Sequence, residues 1–443
     1  MSNPYLPNWE YIPDGEPRVF GDRVYIYGSH DRVACDVFCD FKLKVWSAAI
    51  DDLNRWVCHG VSFRTHPGRD GQEDVEWSDH ELYAPDVVEK DGKYYLYAYI
   101  VDSVGCVAVS DYPEGPFELI SQYQYPAEQH EVLDRGWFID PGVLVDDDGR
   151  VYIYCGFTRS YMAEINPDNM YEILDGSVQE HIIPQLSKED DTGFFEACSP
   201  RKIGDTYYLI YSPNKGSRLA YATSDSPTGP FTYRGYIVDN SEGYPGGNNH
   251  GSICQIGNQW YIFYHRTTNG TIMTRRGCVE RIEILPDGTI PTVEMTSLGF
   301  QESLNPYEIQ ETEIACYLTG GCFVTEHHAF ERVITGITDG CVIGYKYFDF
   351  GKDYGSQTML FWADVTGTGC NSEITILLDD PENGTVLGNC QVGTAGGVVQ
   401  TVVKAVTGRH AVYFKVKQLV DGPFVGMFEG RLLFEWKKFV FMK

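Results

Sequence analysis

The segment Asp148-Gly149-Arg150-Val151-Tyr152-Ile153-Tyr154 decides the fold, because its pattern returns at four other places in the chain. A glycine-containing turn followed by aromatic and β-branched residues predicts a tight turn that leads into a β-strand. A short apolar run precedes the turn, as in Pro141-Gly142-Val143-Leu144-Val145, so each copy is predicted to be a hairpin. The other copies are residues 21–27, 91–97, 204–210 and 257–263.

The spacing of these hairpins predicts a repeated unit of about four strands. The central tyrosines of the five copies are Tyr25, Tyr95, Tyr152, Tyr208 and Tyr261. Their separations are 70, 57, 56 and 53 residues. A second element at 110–117 recurs at 224–231 and is expected to lead into an outer strand. Helical periodicity is weak, so we predict an all-β protein with a five-bladed β-propeller over residues 1–305.

The repeat stops after about residue 309, and the remaining strands follow one another at shorter spacing. Examples are Glu373-Ile374-Thr375-Ile376-Leu377-Leu378 and His410-Ala411-Val412-Tyr413-Phe414-Lys415-Val416. This pattern predicts a separate β-sandwich of jelly-roll type over residues 306–443.

The composition narrows the choice of partner. The chain has 443 residues, with 34 Lys and Arg against 63 Asp and Glu, which gives a net charge of −29. Such a surface repels phosphate polymers and anionic lipids, so we expect neither nucleic acid nor a membrane as a partner. Aromatic residues make up 14% of the chain, which favours a neutral, flat-faced ligand. The oligomeric state is left open.

The N-terminal residues and the cysteines predict a cytoplasmic protein. Residues 1–11 lack the basic and apolar regions of a signal peptide. The 13 cysteines are scattered, without a CxxC pair or a zinc-ligand spacing. We therefore expect most of them to be buried free thiols in a reducing compartment.

Four carboxylates and one histidine occupy matching places ahead of the repeated tyrosines. Counting back from each central tyrosine, the distances are 11 residues for Asp14, 9 for Asp86, 12 for Asp140, 12 for Glu196 and 11 for His250. The first strands of propeller blades line a central channel, so equivalent side chains meet at one mouth of it. Because unpaired buried carboxylates are costly, this pattern predicts a functional site. Asp86 has a second interpretation, in which it only accepts hydrogen bonds from backbone amides.

These residues resemble the motifs of the family 43 glycoside hydrolases, five-bladed propellers that cleave arabinose- and xylose-containing glycans. The motifs are Asp14 ahead of residues 19–31, then 83–87, Ile139-Asp140-Pro141 and Glu196. The resemblance covers the whole chain and implies that Asp14 is the general base and Glu196 the general acid. It implies that Asp140 orients the acid and raises its pKa. Glu16 competes for the role of base, but Asp14 stands six residues before Phe20, as the family requires.

The resemblance also implies sugar contacts and a metal. The implied sugar contacts are Asp31, Trp77, Tyr83, Asp86, Phe157 and Arg266. His250 resembles the histidine that approaches a central ion, often calcium, through water. Such a metal would be structural or electrostatic, and no cofactor is required for the chemistry.

The C-terminal segment resembles the family 6 carbohydrate-binding modules at residues 344–351 and 433–439. Binding-competent members carry an aromatic residue after a Gly-Gly turn, but here Gly396-Gly397 is followed by Val398-Val399-Gln400. We therefore favour a module that packs against the propeller over one that binds sugar. Trp436 alternates with Phe434 along an apolar strand and is predicted to be a core residue.

The chemistry of these groups predicts a glycosidase. Glycoside hydrolysis needs an acid for the leaving oxygen and a second carboxylate that activates water or attacks, and a third charge keeps the acid protonated. We predict an inverting exo-glycosidase that removes terminal α-L-arabinofuranosyl or β-D-xylosyl residues from hemicellulose-derived oligosaccharides. The choice between the two sugars, and exo against endo action, stay open. The alternatives are a non-catalytic sugar-binding propeller and a retaining fructan-type hydrolase, whose Arg-Asp-Pro signature is absent because Ile139 precedes Asp140.

Overall fold

The computed structural model describes residues 1–102, 105–122, 138–184, 190–352, 355–420 and 430–443. Within them the chain is all-β, and its helical structure is confined to a 3-10 turn at Thr312–Ile314. No helix among these residues is both long and apolar enough to cross a lipid bilayer.

The first two sheets are antiparallel meanders in which each strand pairs with the next one along the chain. Sheet 1 consists of β1 (Glu16–Phe20), β2 (Arg23–Tyr27), β3 (Lys42–Ala49) and β4 (Asp52–Arg64). Sheet 2 consists of β5 (Leu82–Lys90), β6 (Lys93–Ile100), β7 (Gly105–Ser110) and β8 (Glu118–Gln122).

The next three sheets repeat this order. Sheet 3 consists of β9 (Gly142–Val145), β10 (Val151–Cys155), β11 (Tyr161–Ile165) and β12 (Gln179–Glu180). Sheet 4 consists of β13 (Phe194–Ile203), β14 (Thr206–Pro213), β15 (Arg218–Ser224) and β16 (Thr232–Asp239). Sheet 5 consists of β17 (Ser252–Ile256), β18 (Gln259–Thr268) and β19 (Thr271–Ile282).

The predicted hairpins are confirmed, because each repeated segment forms the turn between the first two strands of a sheet. The expectation of four strands fails in sheet 5, where the described residues form three. There the N-terminal segment lies along β19 instead. The Asn3 side chain accepts from the backbone N–H of Val279 at 2.9 Å, and the Tyr5 N–H donates to the carbonyl of Gly277 at 3.2 Å.

The first strands of the five sheets lie side by side. Strand β1 lies beside β5 and β17, and β9 lies beside β5 and β13. Between β13 and β17 the Ser199 hydroxyl donates to the Ser252 hydroxyl at 2.6 Å. Side chains near the start of these strands are therefore brought to a common place.

Two buried ion pairs connect these first strands. Arg18 of β1 donates to both oxygens of Asp86 on β5, at 3.0 and 2.6 Å, and to the carbonyl of Val143 on β9. Arg201 of β13 donates to Glu16 of β1 at 2.7 Å and to a carbonyl of β17 at 2.9 Å. Together the two arginines contact all five sheets, so they fix the first strands relative to one another.

The chain from residue 310 onward forms two further sheets. Their strands are β20 (Gln310–Glu311), β21 (Tyr317–Thr319), β22 (Phe323–His328), β23 (Glu331–Ile337), β24 (Val342–Asp349), β25 (Thr358–Gly367), β26 (Ser372–Leu378), β27 (Thr385–Val392), β28 (Gly396–Lys404), β29 (Arg409–Gln418) and β30 (Phe434–Met442). One sheet follows the order β22-β23-β30-β25-β28, with β20 beside β30, and the other follows β21-β24-β29-β26-β27.

The two C-terminal sheets share an aromatic core. Phe414 of β29 packs against Trp436 of β30, with ring centroids 4.8 Å apart, and Tyr345 of β24 lies 4.8 Å from Phe439 of β30. The Trp436 side chain is fully buried, which confirms it as a core residue. The same apolar cluster continues without a break into sheets 4 and 5.

Polar contacts also join the C-terminal sheets to the rest of the protein. The backbone N–H of Leu318 donates to the carbonyl of Gly243 at 2.7 Å, and the buried Arg332 donates to the Tyr11 hydroxyl at 2.8 Å. Arg276 of β19 donates to Glu313 at 3.0 Å. Together with the shared apolar cluster, these contacts indicate that the C-terminal sheets cover apolar surface of sheets 4 and 5 that would otherwise be exposed.

Truncation after Leu304 tests this covering role. The truncated protein is expected to aggregate, or to lose activity even on small substrates, because removal of the C-terminal sheets exposes part of a continuous core. Soluble yield and size-exclusion chromatography measure the outcome beside the full chain. A soluble, fully active truncated protein would contradict the covering role.

Candidate active site

Three of the predicted side chains share one structural position. Asp14, Asp140 and His250 each stand two residues before the first strand of their sheet, ahead of β1, β9 and β17. Glu196 lies near the start of β13. All four line one cavity of about 230 Å³. The repeat positions therefore do bring these groups together.

The local backbone aims these side chains into the cavity. Asp14 and Asp140 have φ angles of 56° and 52°, in the left-handed region that aspartate tolerates better than most residues. The β13 ladder is irregular on both sides of Glu196. Such bulges redirect a side chain and are common beside active sites.

Arg275 of β19 links Asp14 to Asp31. Its Nη1 donates to Asp14 Oδ1 at 2.8 Å. Its Nε and Nη2 donate to the two oxygens of Asp31 at 3.0 and 2.9 Å, and its backbone N–H donates to Asp31 Oδ2 at 2.8 Å. All three residues are buried. Arg275 is therefore held in place by Asp31 and holds the Asp14 carboxylate in turn.

These contacts keep Asp14 ionised. Burial alone would raise the pKa of Asp14, but the Arg275 charge and the nearby His265 and His250 hold this pKa well below its usual range. His265 Nδ1 lies 3.3 Å and His250 Nδ1 3.8 Å from Asp14 Oδ1. Asp14 is thus a carboxylate at any pH near neutrality, which suits a base.

Asp140 and Glu196, in contrast to Asp14, have raised pKa values. Burial raises the pKa of Asp140 well above its usual value, and the charges of Glu196 and Asp14 raise it further. Burial and the charge of Asp14 also raise the pKa of Glu196. The Asp140 carboxylate accepts from the backbone N–H of Ala197 at 3.2 Å, next to Glu196. The pair therefore retains a proton more readily than isolated carboxyl groups do.

Glu196 stands where the cavity opens into a wider cleft. The cleft has a volume of about 620 Å³ and shares Phe38, Phe157, Glu196 and Asn248 with the cavity. Asn248 donates to Glu196 Oε1 at 2.5 Å, and this hydrogen bond favours the ionised form of the acid. A ligand bound across this junction would have one part in the cavity and the other in the cleft, with Glu196 beside the point where the two parts join.

Two of the six implied sugar contacts are brought to the cavity, namely Tyr83 and Phe157. Asp86 does not line the cavity, which corrects the expected contact between Asp86 and a sugar. Its oxygens accept from Arg18 and from the backbone N–H groups of Val87 and Val143, and the residue is fully buried. In sheet 2 the position 12 residues before the central tyrosine belongs to Tyr83, and Asp86 lies three residues further along the strand.

Three other implied contacts are also corrected. Arg266 is buried and donates to the Tyr264 hydroxyl at 2.6 Å and to the Thr296 carbonyl at 2.7 Å. Both carboxylate oxygens of Asp31 accept hydrogen bonds from Arg275, so Asp31 affects the site by holding Arg275 in place. Trp77 is exposed, but it does not line the cavity or the cleft.

The two candidate bases lie in different surroundings. Glu16 does not line the cavity, and its carboxylate accepts from Arg201 at 2.7 Å. Asp14 faces the cavity, as the spacing to Phe20 favoured.

Sequence reasoning missed Arg275, Asn248 and Phe38, which also line the cavity. Asn248 stands two residues before His250, so the repeat position of His250 could have indicated that Asn248 lies at the site. Arg275 lies 261 residues from Asp14 along the chain, and only the packing of sheet 5 against sheet 1 brings them together.

The described residues hold one group of three metal-ligand side chains with ligand atoms within 4.8 Å of each other: His327, His328 and Glu331. This group lies on the exposed β22–β23 hairpin and does not include His250. Asp14 Oδ1 and Asp140 Oδ2 each lie 3.8 Å from His250 Nδ1.

Residues 10–290 match the model of the glycosyl hydrolases family 43. The chain belongs to this family. The family 43 protein is therefore a glycoside hydrolase, and the cavity that holds Asp14, Asp140 and Glu196 lies within the matched region.

Curated relatives agree with this assignment. The family 43 chain is 40% identical over 404 residues to a xylosidase/arabinosidase of Thermoclostridium stercorarium, which covers 78% of this chain and 82% of the relative. It is 30% identical over 339 residues to a beta-xylosidase of Xylanibacter ruminicola, covering 66% of this chain and 100% of the relative.

Solved structures agree as well. A family 43 beta-xylosidase/alpha-arabinofuranosidase from a compost metagenome, in complex with xylotriose and in a calcium-free form, has a TM-score of 0.55 and 30% identity. That match covers 66% of this chain and 97% of the other. An arabinoxylan arabinofuranohydrolase of Bacillus subtilis shares the fold over 100% of this chain and 97% of its own, with a TM-score of 0.56 and 24% identity.

Replacing Asn248 tests how the acid is tuned. Asn248→Ala removes the donor that favours ionised Glu196, so the pKa of Glu196 should rise and the alkaline limb of the kcat/KM profile should move to higher pH. A shift of roughly one to two pH units is expected, since a hydrogen bond to a charged group is worth about 1.5–3 kcal/mol and about 1.36 kcal/mol corresponds to one unit.

Asn214→Ala is the matched control. Asn214 lines the wider cleft but donates to the Asp190 carbonyl at 3.0 Å, so its removal should leave the alkaline limb in place. An alkaline limb that moves to lower pH in Asn248→Ala would contradict the tuning of Glu196 by Asn248.

Proposed function

We propose that the protein removes terminal α-L-arabinofuranosyl or β-D-xylosyl residues from hemicellulose-derived oligosaccharides with inversion of configuration. One observation carries the proposal. An ionised carboxylate and a proton-retaining carboxyl pair line the same narrow cavity, and the acid of that pair stands where the cavity widens. A terminal sugar would fill the cavity, and the rest of the substrate would leave through the cleft.

Glu196 is the proposed general acid. It lines both the cavity and the cleft, so its carboxyl group lies beside the bond that joins the terminal sugar to the leaving group. Burial raises its pKa, which keeps the proton available near neutral pH. The proton passes to the glycosidic oxygen as the bond to the anomeric carbon breaks.

Asp14 is the proposed general base. It takes a proton from a water molecule, whose oxygen attacks the anomeric carbon from the face opposite the leaving group. An inverting pair requires carboxyl groups roughly 6.5–9.5 Å apart, which leaves room for that water. Arg275 and Asp31 hold Asp14 in position, and they are positioning residues in this scheme.

Asp140 is the proposed partner of the acid. Its carboxylate accepts from the N–H of Ala197, which places it against the backbone that carries Glu196. Repulsion between the two carboxyl groups favours one shared proton over two charges. The proton is delivered from Glu196, because Glu196 alone of the pair also lines the cleft.

The sugar specificity is proposed from the relatives. The Thermoclostridium stercorarium relative and the compost-metagenome relative are both named for xylosidase and arabinosidase or arabinofuranosidase activity, and the second holds xylotriose. The cavity walls contain the aromatic rings of Phe38, Tyr83 and Phe157, which suit the apolar faces of a sugar. The non-catalytic alternative is not favoured, since three acids line the cavity of a chain whose relatives are hydrolases.

The fold proposal is a five-bladed propeller over residues 1–305 and a β-sandwich of the family 6 binding-module type over 306–443. The propeller is supported by the contacts of β1 with both β5 and β17 and by the ion pairs that join all five sheets. In the C-terminal part, Val398 is exposed on β28 where binding-competent modules carry an aromatic residue. The proposed role of the C-terminal part is to pack against the propeller, without a sugar-binding site of its own at this position.

A calcium ion, if bound, is proposed to be structural and held through water. Calcium prefers about six to eight oxygen ligands at about 2.3–2.6 Å. His250 offers a nitrogen, and the carboxylates of Glu16 and Asp86 are already paired with Arg201 and Arg18. These side chains do not suit a direct calcium shell, so no catalytic step is assigned to a metal.

Substitution of the two carboxylates separates their roles. Glu196→Ala should lower kcat/KM on xylo-oligosaccharides by roughly 10²–10⁴-fold and spare aryl glycosides with good leaving groups, which need no acid. Asp14→Ala should lower activity on both substrate types by a similar factor, because water activation is always required. Para-nitrophenyl β-D-xyloside and α-L-arabinofuranoside are the aryl substrates.

Glu81→Gln is the control for these variants. Glu81 is a half-buried carboxylate that accepts from Arg32 at 2.7 Å and lies outside the cavity lining, so its loss should change neither rate substantially. Wild-type turnover by Asp14→Ala would move the base elsewhere. An equal loss on both substrate types in Glu196→Ala would contradict its role as the acid.

A further inference from the structure

A groove of about 470 Å³ lies between sheet 5 and the C-terminal sheets. One wall consists of residues 243–246 and the tip of the β18–β19 hairpin, and the other consists of residues 318–323. None of the roles assigned above uses this groove.

The groove is continuous with the active-site cleft. Gly246 and Ile272 line both the groove and the cleft, and the cleft in turn shares Glu196 with the catalytic cavity. Ile272 is 42% exposed, which is unusual for a large apolar side chain unless something covers it. A single depression therefore runs from the catalytic acids to the C-terminal sheets.

The lining of the groove suits a neutral, hydroxyl-rich chain. It holds no Asp, Glu, Lys or Arg, although the protein as a whole carries 97 such residues, the sum of 34 and 63. It contains four threonines, and it contains the rings of Tyr244 and Phe323. A side chain added at Gly246 or Gly321 would meet no atom within 4 Å, so a ligand can approach the backbone there.

The two walls are fixed to each other. Beside the groove the backbone N–H of Asn269 donates to the carbonyl of Val324 at 2.7 Å, and the Thr325 hydroxyl donates to Asn269 Oδ1 at 3.0 Å. The Leu318 N–H donates to the Gly243 carbonyl at 2.7 Å. The groove is therefore a preformed surface, which lowers the entropic cost of binding a flexible ligand.

We propose that this groove binds the leaving-group end of a pentose oligosaccharide, so that the C-terminal sheets form one wall of an extended substrate site. The inference rests on the proposed function, because it extends the path of the leaving group beyond Glu196. Phe323 is the proposed platform on which a sugar ring of the chain packs. The C-terminal part thus contributes to substrate recognition without an independent binding site of its own.

Chain-length dependence tests the groove in the unmodified protein. With xylo-oligosaccharides of two to six units, arabinosylated if the aryl assay shows arabinose release, kcat/KM should rise as units are added beyond the scissile bond. A value that stays constant or falls with added units would overturn the proposal.

Phe323→Leu tests the platform, since it keeps apolar volume and removes the ring. It should lower kcat/KM for the longest oligosaccharide by about fivefold to tenfold, the range for loss of one substantial interface contact, and leave the aryl glycoside unchanged. Phe323→Tyr keeps the ring and should retain activity on long substrates. Melting temperature confirms that each variant is folded.

Phe330→Ala is the matched control, because Phe330 is 71% exposed on the turn that follows β22 and does not line the groove. It should behave as the unmodified protein. Unchanged long-chain activity in Phe323→Leu would overturn the groove and leave the proposed function intact. Failure of the unmodified protein to cleave either aryl glycoside would instead remove the proposed function itself.

Discussion

Two arginines that pair with buried carboxylates among the first strands make the interactions on which the rest of the structure depends. Arg18 and Arg201 contact every first strand, either through a carboxylate or through a backbone carbonyl. Removing one partner of such a buried pair usually costs about 3–5 kcal/mol, because the other charge is left without compensation. The positions of the proposed catalytic groups follow from this arrangement, since each one stands at or just before the start of a first strand.

The same scaffold separates the roles of the carboxyl groups. Asp14 contacts a guanidinium and lies near two imidazoles. Asp140 is buried and Glu196 is half-buried, and among the described contacts neither has a cationic partner at hydrogen-bond distance. Burial raises the pKa of all three, but only Asp14 has enough nearby positive charge to reverse the effect. One fold thus holds an ionised carboxylate and a proton-retaining carboxyl pair within a single cavity, as the proposed base and acid require.

Local patterns predicted much of this protein. The hairpins were predictable because turn residues and strand residues are neighbours in sequence, and the repeat then placed Asp14, Asp140, Glu196 and His250 together. Asp86 shows the limit of aligning repeats by residue type. It was aligned with the other acids because it is a carboxylate, but Tyr83 occupies the equivalent position in sheet 2. The hydrogen bonds that Asp86 accepts from the backbone N–H groups of Val87 and Val143 match the second interpretation, in which it only accepts from backbone amides, whereas its pairing with Arg18 was not predicted.

Contacts between distant segments were not predictable from sequence. Arg275 lies 261 residues from Asp14 along the chain, and the N-terminal segment lies along β19 where a fourth strand was expected. The groove beside Phe323 exists only because residues 318–323 pack near the β18–β19 hairpin. Such features depend on tertiary packing, for which a single sequence gives no periodic signal.

The stereochemistry of the first product tests the central claim most directly. Proton NMR can follow the anomeric signal of xylose released from an aryl β-D-xyloside before mutarotation. Attack by a water molecule that Asp14 activates, opposite the group that Glu196 protonates, predicts that α-xylose appears first. Initial release of β-xylose would show retention, which would contradict the assignment of Asp14 as the base of an inverting pair.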